Sequence, residues 1–162
     1  MRITALVSTL LLLLVAAPAG AERSYGSLEI TDGRGMITIK GRGALLGRLD
    51  RGSLTITDLS PNDQWSPRVG GIPRGRVVSV RGQDITFYVP GGRYRLVVRG
   101  EGINISARGT GTAVLDGQPD PTGATGDYAV GDAEPEPVPA EPTRAPFGVG
   151  PAIPPQPVRS VA

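Results

Sequence analysis

Residues 80–107, VRGQDITFYVPGGRYRLVVRGEGINISA, decide the class of fold. Ile85, Phe87 and Val89 alternate there with Thr86 and Tyr88. Tyr94, Leu96 and Val98 alternate with Arg93, Arg95 and Arg99, and Ile103 and Ile105 with Asn104 and Ser106. Successive side chains on a strand point to opposite faces, so each run offers one side to a core and one to water. Pro90-Gly91-Gly92 separates the first two runs and reads as a hairpin turn. The stretch also repeats itself: residues 80–89 align without gaps on residues 98–107, a shift of 18.

The same alternation extends outward to Leu28/Ile30, Ile37/Ile39 and Leu54/Ile56. A second repeat places GSLEITD (26–32) on GSLTITD (52–58), a shift of 26. Gly-x-Gly units recur at Gly33/Gly35, Gly41/Gly43, Gly100/Gly102 and Gly109/Gly111. A phosphate-cradling loop must lead into a helix, and no helical period follows any of them, so they read as turns and bulges. The expected fold is all-β: a small antiparallel sandwich or barrel of short, glycine-separated strands, with Asp32-Gly33 as a further hairpin turn. A β-solenoid is the alternative, disfavoured because a regular solenoid keeps one period and the two shifts differ.

Composition divides the chain into three parts. Residues 1–21 carry one charge, Arg2, then an apolar run and an Ala19-Gly20-Ala21 cleavage pattern, the pattern of an export signal. The expected location is therefore extracytoplasmic, with membrane attachment only if that signal stays uncleaved. Residues 22–117 form the expected all-β domain, and residues 118–162 a disordered Pro-rich tail. The domain holds 14 Arg or Lys against 9 Asp or Glu, whereas the tail has two arginines against six acids. An acidic tail of this kind could fold back and mask the basic domain.

No His and no Cys occurs, which removes histidine and thiol nucleophile systems, disulfides and zinc sites of ordinary composition. A carboxylate pair is the enzymatic route left, from Asp50, Asp58, Asp63, Asp84, Glu101 and Asp116. Most of these sit beside glycine or in turns, where Asp serves the backbone. A non-enzymatic protein without cofactor or metal is expected. The better lead is basic. Arg93, Arg95 and Arg99 share one side of a strand, Lys40 and Arg42 the polar side of another, and guanidinium forks suit phosphate and carboxylate. Trp65, the single tryptophan, lies in the long irregular stretch SPNDQWSPRVGGIPRGR (60–76) and is a candidate stacking residue. Too few aromatics accompany the arginines for a nucleic-acid surface.

The Gly-x-Gly strands, GRLDRGSLTITDL (47–59) and YRLVVRGEGINISARGTGTAVLDG (94–117) resemble uncharacterised secreted glycine-rich β-repeat proteins of actinobacteria, and more loosely adhesin-type repeats. The resemblance implies a structural or binding role at the cell envelope and brings no catalytic residue. The expected function is a secreted module holding an anionic envelope polymer, or contacting another envelope protein, through Arg93, Arg95, Arg99 and Trp65. The alternative is a protein-interaction module whose Pro-rich tail docks as a polyproline II ligand.

Overall fold

The computed structural model describes residues 26–60, 66–148 and 156–157. The expected export signal of residues 1–21, Asp63 and Trp65 lie outside them. The chain is all-β. Three long strands carry most of it: β1 (Gly26–Asp58), β4 (Val77–Val89) and β5 (Arg93–Gly117), with β2 (Arg68–Val69) and β3 (Ile72–Pro73) between β1 and β4. After β5 come β6 (Asp127–Val130), β7 (Glu136–Pro137), β8 (Thr143–Phe147) and β9 (Gln156–Pro157). All pair antiparallel in one sheet that is not closed into a barrel.

The register between β1 and β5 shows how the sheet is bent. Gly109 lies opposite both Gly26 and Gly43, and Gly100 opposite both Gly35 and Gly52. Two β1 residues 17 positions apart therefore flank the same β5 residue. Seventeen extended residues cover roughly 56 Å, yet two strand spacings cover only about 10 Å. The strand must wind back on itself, so β1 and β5 coil around each other as a flattened two-strand ribbon. Glycines mark its corners. Gly82, Gly52, Gly100, Gly35 and Gly117 neighbour one another in that order at the first corner, and Gly43, Gly109 and Gly26 at the second.

Two flat faces result. Face one holds residues 77–81, 53–58, 93–99, 36–42, 110–116 and 143–147 in spatial order; face two holds 83–89, 44–51, 101–108, 27–33 and 127–130. Ile37, Ile39, Leu54, Ile56, Leu96, Val98 and Leu115 point inward from face one, and Leu28, Ile30, Leu49, Ile85, Phe87, Ile103 and Ile105 from face two, into one shared core. The architecture is a sandwich made by winding.

The repeats of the sequence now have a common origin. Corner glycines follow one another at Gly26, Gly35, Gly43 and Gly52, so a half-turn takes eight or nine residues. The shift of 18 (Gly82 to Gly100) is two half-turns and the shift of 26 (Gly26 to Gly52) is three. Unequal shifts had disfavoured a regular winding; they are different multiples of one step.

Both expected hairpin turns are corrected. Asp32-Gly33 lies within β1, where Asp32 has φ 50° and the register slips between Ile30 and Gly33: a bulge. An extra residue flips which side chains face inward, so the alternation in sequence breaks although the strand continues. Pro90-Gly91-Gly92 does not reverse the chain either. β4 and β5 do not pair with each other; they follow β1 in almost the same register, and the Gly43 amide donates to the Gly92 carbonyl at 2.9 Å. Short strands were expected because bulges and kinks look like strand ends.

The disordered tail is also corrected for residues 118–148. β6 pairs with β1 and β8 with β5, and Tyr128, Val138, Ala145 and Phe147 are buried in the core. Asp120 organises the approach: its Oδ1 accepts from the amide of Thr122 (2.8 Å), the Thr122 hydroxyl (2.7 Å) and the amide of Ala124 (3.0 Å). These bonds, that from the Thr122 side chain first, hold the carboxyl below its usual range. Within the Pro-rich run 134–142, the Val138 amide donates to Gly126 and the Pro139 carbonyl accepts from Gly117, each at 2.8 Å. Prolines lack donors, but an edge segment needs few of them.

Candidate basic face and corner groove

On face one, outward positions of neighbouring strands bring together cations remote in sequence. Arg93 lies opposite Arg42, Arg95 opposite Lys40, and Arg99 opposite Met36 on one side and Ser53 on the other; Ser53 in turn lies opposite Arg81. All six cations are exposed, while Tyr94, Leu96 and Val98 between them are buried. The alternation read from sequence thus placed Arg93, Arg95 and Arg99 on one side of a strand, and the structure keeps them there. It also spreads them: Arg93 stands near the second corner and Arg99 at the first, about 20 Å apart at roughly 3.3 Å per residue.

The electrostatics of the two faces differ. Among the described residues the ion pairs are Arg34–Glu101 (2.8 Å), Arg48–Asp84 (3.0 Å), Arg48–Asp50 (3.2 Å) and Arg51–Glu101 (3.7 Å), all on face-two segments. None involves Lys40, Arg42, Arg81, Arg93, Arg95 or Arg99. Face one keeps its positive charge open to solvent. Of the described acids named above as enzymatic candidates, Asp50, Asp84 and Glu101 are tied to arginines, Asp58 accepts the Ser60 amide at 2.7 Å, and Asp116 lies on a face-one segment opposite Met36. No group of three or more acids that could hold a metal ion occurs among the described residues.

Two grooves run along the corners. The first, of about 590 Å³, has a floor of Gly35, Gly52, Gly82 and Gly100 and is walled by Arg34, Arg51, Arg81 and Arg99 with Ser53 and Glu101. The floor is bare for a packing reason. At Gly35, φ is 112° and an added Cβ would run into the carbonyl oxygen of Asp116 on the neighbouring strand. The second groove, of about 450 Å³, is lined by Lys40, Arg42 and Arg93 with Thr110 and two glycines, and by no acid.

Arg34 and Arg51 were not singled out by the sequence reading, although each, like Arg81, stands immediately before a glycine. That Arg-Gly dipeptide was the available signal, and only the winding shows that four copies meet. The acidic segment forms no ion pair with these cations among the described residues, although its Gln118 and Pro119 line the groove. Among the described residues, none of Asp120, Asp127, Asp132, Glu134, Glu136 and Glu141 pairs with an arginine of face one. No helix of the described residues is long and apolar enough to cross a membrane. No family model, no curated protein and no solved structure matches the chain.

Proposed function

We propose that this protein is an exported, non-enzymatic binding module that holds an anionic polymer of the cell envelope on face one. One observation carries the reading: six exposed cations from three segments share this face without an ion-pair partner, while the ion pairs of the described residues gather on the other face. Like charges set directly opposite on adjacent strands cost stability. A surface that keeps Arg42 against Arg93 and Lys40 against Arg95 is arranged for an external anion. Guanidinium groups on a rigid sheet give that anion paired hydrogen bonds at little loss of side-chain freedom. Export rests on the N-terminal residues 1–21 and binding on the basic face.

The test is retention of residues 22–162 on purified anionic envelope polymers at low and high salt. Exposed ion pairs are screened over about 8 Å at physiological ionic strength and over less at higher salt. Retention at low salt, lost at high salt and reduced about tenfold or more in Arg93→Ser/Arg95→Ser/Arg99→Ser, is the expected result. Unchanged retention in that variant, or none in the parent at any salt, removes the proposal. Docking through the Pro-rich segment is the weaker reading, since Val138 is buried within it.

A further inference from the structure

The corner groove carries a more specific pattern than the open face. The row of corner glycines crosses the strands in the order Gly82, Gly52, Gly100, Gly35, Gly117, and the first four form the groove's floor. In the first four an arginine comes immediately before the glycine: Arg81, Arg51, Arg99 and Arg34. Adjacent strands run in opposite directions, so the residue before the glycine falls on alternate banks. Arg81 and Arg99 stand on the face-one bank, Arg51 and Arg34 on the face-two bank, and all four line the groove. The result is a zigzag of guanidinium groups, one per strand, at a step of about 4.8 Å along the floor.

The two banks are not equivalent. On the face-two bank Glu101 sits between the arginines, 2.8 Å from Arg34 and 3.7 Å from Arg51. On the face-one bank the intervening residue is Ser53, opposite Arg81 on one side and Arg99 on the other. Arg81 and Arg99 therefore have no carboxylate partner, Arg99 donating only to the Met36 sulfur at 3.4 Å, and Glu101 occupies the opposite pair.

We propose that this groove seats a linear acidic polysaccharide that runs across the strands with a carboxylate on every sugar. The proposal deepens the reading of face one as a polyanion surface and rests on it, since Arg81 and Arg99 belong to both. An extended glycan of this kind presents its acids alternately left and right, one ring apart, which is the pattern of the banks. The bare glycine floor lets the rings lie against the backbone. A chain charged only on every second sugar would meet one bank and leave the other unfilled.

The experiment compares retention of residues 22–162 on immobilised polygalacturonate, charged on every sugar, and hyaluronate, charged on every second, at one low ionic strength. Polyphosphate serves as a soluble competitor. The parent is expected to hold polygalacturonate about tenfold more strongly, and Arg81→Ser to reduce that preference to about twofold or less. Arg93→Ser/Arg95→Ser should lower both polymers alike and keep the preference. Arg81 is exposed, and a melting curve matching the parent's confirms that its variant folds. Equal retention of the two polymers by the parent, or an equal fall of both in Arg81→Ser, overturns the groove while leaving the basic face intact. Displacement of polygalacturonate by a smaller amount of polyphosphate overturns the carboxylate assignment. Retention of neither polymer overturns the polyanion reading itself.

Discussion

Arg42 and Arg93 lie directly opposite each other on neighbouring segments of β1 and β5, two like charges without an ion-pair partner among the described residues. A directly opposed like-charge pair costs a few tenths to about 1 kcal/mol. Arg93→Thr should therefore stabilise the protein by roughly 0.5 kcal/mol in urea unfolding while weakening its retention on anionic polymer. A variant that loses stability and retention together would assign Arg93 to packing.

The corner glycines give a contrast within one row. Gly35 has φ 112° and its neighbour's carbonyl stands where a Cβ would go, whereas Gly82, at the end of the same row, has open space around it. Gly35→Ala should lose about 3 kcal/mol or more, because backbone strain and a backbone clash add. Gly82→Ala should stay within about 0.5 kcal/mol of the parent. Thermal melts of both variants make the comparison; equal losses would refute the packing account of the ladder.

Tyr94 is 1% exposed, and its hydroxyl is buried with no hydrogen-bond partner among the described residues. Burial pushes its pKa up to about 12. The unfolded phenol titrates near 10. A pKa raised on folding leaves stability fully present below about pH 10 and lost as pH rises towards 12, a loss of about 3 kcal/mol. Tyr94→Phe removes the unsatisfied hydroxyl, so it should gain about 1–2 kcal/mol at neutral pH and lose less stability above pH 10. Denaturant titrations at pH 7 and pH 11 read both effects.

Residues 118–148 complete the core rather than trailing from it. A chain ending at Gly117 would expose the surfaces that Tyr128, Val138, Ala145 and Phe147 cover. At about 1.5–3 kcal/mol for each large apolar side chain, the truncated chain should lose roughly 5 kcal/mol or more. Circular dichroism melts of residues 22–117 against 22–148 decide this. An unchanged midpoint would return the segment to the role of an appended tail.

Glu101 bridges Arg34 and Arg51 within the groove. Glu101→Gln removes the internal anion and releases both guanidinium groups to an external one. Retention on polygalacturonate should rise about threefold to tenfold, with a steeper fall as salt is added. Unchanged or weaker retention would show that the Arg34 and Arg51 guanidinium groups do not take part in holding the polymer.

Much of this molecule was legible in order of residues. Alternation of Leu96 with Arg95, or Ile39 with Lys40, fixed strand class and the inward and outward sides, because a pleated strand has a period of two. What misled was punctuation. Asp32-Gly33 and Pro90-Gly91-Gly92 have the composition of turns, but a bulge and a kink use the same residues to meet the same backbone requirement. Local sequence does not say whether a chain that bends also reverses. Val138 and Phe147 show the same limit from the other side. Proline and acid dominate their surroundings, and their burial depends on a core edge built by β1 and β5.

The residue sequence by itself determined that the protein is all-β, that Arg93, Arg95 and Arg99 share one side of a strand, and that neither histidine nor thiol chemistry operates. Those are properties of composition and of a two-residue period, and each is local. Only the tertiary structure decided that the strands wind with 17 residues to a turn and that Arg34, Arg51, Arg81 and Arg99 meet along one glycine floor. It also decided that Asp50, Asp84 and Glu101 pair with arginines on the face away from Arg93 and Arg95. The physical reason is register: which residues become neighbours across a sheet depends on hydrogen bonding between segments far apart in the chain, and a shift of one residue would reassign every pair.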